Sequence, residues 1–247
     1  MTSSSLRAEK LIVESVRPIT NTEEKMITTL MATLFIQDGF RKDFNVPVQR
    51  FKSTGSTQFF ILEPGYTLNY QGKEDGGTTD LRIEVLDKTK TIDGVETRIV
   101  EEKETHDGKL VEISRNFFAI DSQTSDVYYF GEEVDIYKNG KIVNHGGAWI
   151  SGKDGAHYGM FVAGHPIVGD KYYQELAENK AMDQVTNASI SEVVKTPAGT
   201  FKNCLKLKET TPLEKGLVEY KLFAPGIGLV LDNRVKLTSF SKRKIKN

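Results

Sequence analysis

The period of the hydrophobic pattern changes once along the chain. From Asn21 to Phe40 the apolar residues Met26, Ile27, Leu30, Met31, Leu34 and Phe35 recur at i, i+1, i+4, i+5, i+8 and i+9. That spacing makes one stripe on a helix of 3.6 residues per turn. Asn21 offers an acceptor to the free N–H groups of the first turn, Glu24 closes a capping box, and Gly39 provides a left-handed stop. Thr28, Thr29 and Thr33 fall on the opposite face, which lacks the Lys/Arg density of a membrane-surface helix. The pattern predicts an amphipathic helix packed on the main core.

After Pro47 the period becomes two and stays so almost to the end. Strands are predicted over 58–62, 66–72, 78–88, 94–105, 109–120, 126–137, 141–150, 172–178, 184–196, 201–211, 216–224 and 227–237. Asp93-Gly94, Asp107-Gly108 and Asn139-Gly140 are pairs that tolerate positive φ at both centres of a type I′ turn, and Lys215-Gly216 marks a further turn. Pro197-Ala198-Gly199-Thr200 and Ala224-Pro225-Gly226 join strands in the same way, with Pro fixing φ. Successive hairpins make a meander, and a sheet of this many strands curls until its edges approach, because open edges leave unpaired backbone. The expected fold class is mainly β: an antiparallel meander forming a barrel or strongly curved sheet, with one N-terminal amphipathic helix. The expected division is a helical segment packed on the barrel over 1–50, a single β-barrel-like domain over 51–240, and a basic tail over 241–247.

Alternation then assigns faces. One face of 109–120 carries Val111, Ile113, Arg115, Phe117 and Ala119, and one face of 204–210 carries Leu205, Leu207 and Glu209. Each is an apolar row holding one ionisable group, and burying an isolated charge costs several kcal/mol. Such a group is paired, at a rim, or on the other face; if inside, Arg115 and Glu209 are polar contacts in the lumen.

Residues 145–170 break the strand pattern. They hold His145, His157 and His165, the sole tryptophan Trp149, and seven glycines. A long irregular segment among strands is typical of a lid or binding loop, and Trp149, Tyr158 and Phe161 are its aromatic contacts for a ligand. The histidines stand 12 and 8 residues apart with no His-x-His or HExxH pattern, so no metal site is expected. A general acid/base pair needs only spatial proximity, which makes His157 or His165 with Asp170 or Glu175 the catalytic candidates. The nucleophile elbow Gly-x-Ser-x-Gly is absent, and Cys204 alternates within a strand like a small packed residue.

Composition narrows the classes further. The chain has 247 residues, 33 Lys+Arg against 34 Asp+Glu, and one Cys. Near-neutral charge removes the electrostatic case for nucleic acid, and one cysteine removes disulfide scaffolds and cysteine-built zinc sites. No apolar run approaches a transmembrane span. The opening MTSSSLRAEKLIVESVRP lacks the apolar stretch of a signal peptide; a cytoplasmic location and a leader already removed both fit. The compartment and the oligomeric state are left open.

The segments VGDKYYQE (168–175), VKTPAGTFKNCLKLKETTPLE (194–214) and VEYKLFAPGIGLV (218–230), with DVYYFGEEV (126–134) upstream, resemble a recurring pattern in uncharacterised bacterial and archaeal β-rich proteins, many predicted to be exported. The resemblance implies one β-rich unit over 58–232 and a placement outside the cytoplasm. That group carries no assigned activity, so no catalytic residue transfers.

The functional expectation is a module that binds a small apolar or amphipathic ligand in the barrel lumen, gated by 145–170, with no cofactor. The alternative is a cofactor-independent isomerase, cyclase, lyase or hydrolase using His/carboxylate chemistry in the same cavity. A structural, envelope-associated protein with a filled barrel is the third reading.

Overall fold

The computed structural model describes residues 39–74 and 76–242. The helix expected over 21–40 lies essentially outside these residues, as does most of the basic tail. Asp93 and Gly94, Asp107 and Gly108, and Asn139 and Gly140 all have positive φ, so each pair forms the tight turn its chemistry favours.

A 3-10 turn at Val48–Arg50 and a short strand β1 (Phe51–Lys52) precede the first meander. This comprises β2 (Tyr66–Glu74), β3 (Gly77–Ile92), β4 (Val95–His106), β5 (Lys109–Asp121) and β6 (Val127–Lys138). Five brief strands follow: β7 (Lys141–Asn144), β8 (Trp149–Ile150), β9 (His157–Val162), β10 (Lys171–Tyr173) and β11 (Glu175–Leu176). The second meander is β12 (Gln184–Thr196), β13 (Gly199–Thr211), β14 (Glu214–Ala224), β15 (Gly228–Asp232) and β16 (Val235–Lys242).

The two meanders join through β16 and β2, which pairs Leu237 with Tyr70 and Phe240 with Leu68. Thirteen strands then follow in the order β10-β12-β13-β14-β15-β16-β2-β3-β4-β5-β6-β9-β11, all antiparallel, with β1, β7 and β8 off this path. β10 lies on one edge and β11 on the other, yet both belong to the run 171–176. Gln174 between them donates to the Phe161 carbonyl at 2.7 Å. The result is a nearly closed, barrel-like antiparallel sheet. Among the described residues no helix is long and apolar enough to cross a membrane.

Three sequence expectations are corrected. The strand expected at 58–62 is a turn: Leu62 N donates to Gly55 O and Thr57 N to Phe60 O, both at 2.8 Å, burying Phe59 and Leu62 against the sheet. The hairpin after β13 turns at Pro212-Leu213 rather than at Lys215-Gly216, which lies within β14. The window 145–170 is not an irregular loop, since it contributes β8 and β9. Two of its glycines, Gly159 and Gly164, serve close approach of the backbone. A Cβ on Gly159 would overlap the Gln174 carbonyl, and one on Gly164 the Thr124 carbonyl.

Gly131 has the largest effect on the interior. Its φ is +127°, and a Cβ there would overlap the Trp149 carbonyl. The register slips at this point: Asn116 pairs with Glu132, but Phe118 pairs with Tyr129. This bulge turns Tyr129, rather than Phe130, onto the face of Asn116 and Phe118. Phe130 joins Phe51, Tyr128 and Tyr158 in an aromatic cluster on the other face, which Phe44 also caps.

Candidate functional site

At one end of the lumen the concave face is apolar. Tyr66, Leu68, Ile83, Val85, Val100, Phe118, Phe161, Phe223 and Leu229 line a pocket of about 50 Å3 that opens to solvent. Phe60 and Ile61 of the 55–62 turn stand at this pocket, and the Phe60 ring meets Phe118 at 5.2 Å and Phe161 at 5.6 Å. The single acid on its wall is Glu102.

Beyond Glu102 the same strand faces become charged. Ladder partners share a face, so Glu102 lies with Ile83 and Ser114, Glu104 with Leu81 and Glu112, and Asn116 with Glu132. Across the lumen, Lys221 pairs with Leu207 and Asp232 and stands two residues along β14 from Phe223. Lys221 Nζ meets Glu209 Oε2 at 2.9 Å. The Tyr129 hydroxyl donates to Asn116 Oδ1 at 2.5 Å, and its ring stacks on Phe118 at 4.7 Å.

Confinement raises the acids toward neutrality. Burial, opposed by Lys221 and reinforced by Asp232 and Glu132, pushes Glu102 up to about 8. Burial pushes Glu132 up to about 7, opposed by the polar Tyr129 hydroxyl and by Lys221. Glu175 is driven well above the carboxylate range by burial and by Asp183 and Glu132, and Asp183 is raised by burial and by Glu209. Lys221 is lowered by burial, but Glu209 and Asp232 outweigh this and hold its ammonium well above the ordinary value. Glu102, Glu132, Glu175 and Asp183 are only half-buried all the same. Strong desolvation with residual access to water is the setting of a lumen, walled on most sides and open on one.

Among the described residues two buried side-chain polar atoms lack any hydrogen-bond partner, Glu209 Oε1 and Trp149 Nε1. Trp149 is 3% exposed, shares a ladder rung with Glu132 and sets its ring 5.4 Å from Tyr129. One orphan is an acceptor and the other a donor, and Trp149 borders the acids through Glu132. Each carries a desolvation penalty of about 1–3 kcal/mol as it stands.

Of the sequence candidates, Glu175 and Glu209 share the electrostatic field of Glu132 and Lys221, although Glu175 is also the ladder partner of Tyr158; Trp149 shares the rung of Glu132, and Phe161 lines the apolar pocket. The other sequence candidates lie elsewhere. Arg115 is a correction: its row pairs with Glu101 and Glu133, on the face opposite Glu102, where it meets Glu101 at 3.5 Å and Asp135 at 3.1 Å. Tyr158 donates to the Phe44 carbonyl at 2.6 Å within the outer aromatic cluster. His157 lies exposed in a separate open groove with Phe44, Tyr173 and Leu176. His165 and Asp170 are exposed. Among the described residues neither histidine is joined to a carboxylate by an ion pair or hydrogen bond. Of the residues that sequence reasoning missed, Glu102, Glu112, Glu132 and Lys221 look like solvated positions in an alternating strand, and Asp183 lies just before β12. Only the closure of the sheet makes them face one another.

Comparison of the chain with protein-family models, curated proteins and solved structures finds no match.

Proposed function

We propose that the protein binds a small amphipathic molecule in the lumen of its sheet, apolar part against Phe118, Phe161 and Phe223 and polar part beyond Glu102. The observation that carries this reading is the apolar pocket, which runs inside a nearly closed sheet and ends on a charged wall. A filled, purely structural interior has no use for Glu102, whose burial against that wall costs stability. In this reading Trp149 and Phe161 place the 145–170 window in the binding wall, and the 55–62 turn, with Phe60 and Ile61 at the mouth, takes over the gating expected of that window.

The test is a titration with 1-octanol, followed through Trp149, the only tryptophan in the chain. Saturable quenching or enhancement is expected for the wild type, and at least about tenfold weaker binding for Val100→Phe, which fills the pocket from its wall. Unchanged circular dichroism of the variant shows that the fold persists. Equal binding by the variant refutes the lumen as the site.

A second reading draws support from Glu132, poised at about 7 beside Tyr129 and Trp149. A carboxyl that exchanges its proton near neutral pH is what general acid/base catalysis needs, which would make the protein a cofactor-independent enzyme working through carboxyls rather than histidines. Incubation with a metabolite extract and mass spectrometry tests it. Conversion lost in Glu132→Gln supports an enzyme; an identical extract profile with and without the wild-type protein rejects it.

A further inference from the structure

The charge of the ligand can be read from the lumen itself, an inference that rests on the lumen-binding proposal above. Glu102, Glu132, Glu175, Asp183 and Glu209 feel one another's fields, and Lys221 is the cation acting on Glu102, Glu132, Glu175 and Asp183 alike. Where these carboxyls ionise, one ammonium does not neutralise them all. The second observation is independent of charge counting. Glu209 has a side chain only 5% exposed, one oxygen on Lys221, and its other oxygen, Oε1, buried with no partner. A buried carboxylate oxygen asks for a donor, and a donor that also brings positive charge relieves both deficits at once. The Trp149 indole N–H, on the rung of Glu132, asks in turn for an acceptor.

We propose that the occupant is a monovalent amphipathic amine. Its ammonium group donates to Glu209 Oε1 within the field of Glu132, Glu175 and Asp183, and its hydrocarbon part lies along the apolar pocket past Glu102. A hydroxyl near the amine gains a further bond by accepting from Trp149 Nε1. A fatty acid does not suit this wall, since its carboxylate would add to the negative field once these acids ionise.

Binding an ammonium ion drives protons off carboxyls that hold them at neutral pH, so amine affinity rises with pH through the range of about 7 to 8 in which Glu132 and Glu102 ionise. The experiment compares 1-octylamine, 1-octanol and octanoate on the full chain by calorimetry and Trp149 fluorescence at pH 6.5 and 8.5. The expected result is octylamine binding at least about tenfold tighter than octanol, octanoate weakest, and the amine preference growing at pH 8.5 with protons released to buffer. Glu175→Gln and Glu209→Gln are each expected to weaken octylamine about fivefold or more and so to narrow its margin over octanol. Because Glu209→Gln also strips Lys221 of its partner, Glu175→Gln reads the same point without that liability. Octanol or octanoate binding as tightly as octylamine overturns the amine assignment and leaves lumen binding standing. Failure of all three to bind overturns lumen binding itself.

Discussion

Replacing Glu102 by glutamine tests the electrostatics of the interior directly. The wild-type carboxyl is pushed from 4.5 up to about 8, first by burial and then by the balance of Asp232 and Glu132 against Lys221. An acid raised in the folded state binds its proton more tightly there than in the unfolded chain. Stability therefore falls as pH rises from about 4.5 to about 8 and levels off above that. At about 1.4 kcal/mol per pH unit the ceiling on this loss is about 5 kcal/mol. Glu102 retains contact with water, which brings the working expectation to about 2–3 kcal/mol. Glutamine keeps the shape and hydrogen-bonding reach of the protonated acid and cannot ionise. Urea denaturation at pH 5, 7 and 9 is the assay. The two proteins should be close in stability at pH 5, and the variant should be more stable by about 2–3 kcal/mol at pH 9. Parallel stability curves for the two proteins across this range would show that Glu102 ionises as freely when folded as when unfolded, and the desolvated lumen would go with it.

Gly131→Ala combines a φ of +127° with a Cβ overlapping the Trp149 carbonyl; a loss of about 2–4 kcal/mol in thermal or urea unfolding is expected, and a change under about 0.5 kcal/mol contradicts the bulge argument. Asp121 is held below its ordinary 3.8 because hydrogen bonds from Arg50, Gln123 and Thr124 outweigh its burial. That contribution is present above pH 3.8 and is lost as pH falls through the folded value. Asp121→Asn should therefore cost about 2–4 kcal/mol at pH 7 and flatten the acid limb of the stability profile. Arg115→Ala removes a one-third-exposed side chain from Glu101 and Asp135. Less than about 1 kcal/mol and unchanged octylamine affinity are expected, and a large loss of affinity would put Arg115 back in the site.

The period-two pattern and the Asp-Gly and Asn-Gly pairs were enough to find most of the strands, because both are local: a type I′ turn depends on two residues, and alternation on a pleat. Local rules stopped at the faces. In β5 the row Val111, Ile113, Arg115, Phe117 was expected inside on the premise that apolar residues point inward. The interior row is Glu112, Ser114, Asn116, Phe118, because the lumen is polar at one end and Phe117 is buried on the other face under Lys90. Gly159 and Gly164 within 145–170 are points of backbone contact, which depends on what lies opposite them.

The chain by its own pattern determines an antiparallel meander with its turns and nearly all its strand positions, since each of these is an interaction between neighbours in sequence. Tertiary structure alone decides which side of each strand is the lumen and which acids meet there. The carboxyls of Glu102, Glu132, Glu175 and Glu209 come from strands far apart in the chain, and their mutual field, with the unfilled demand at Glu209 and Trp149, arises only when 171–176 ties the two edges of the sheet together.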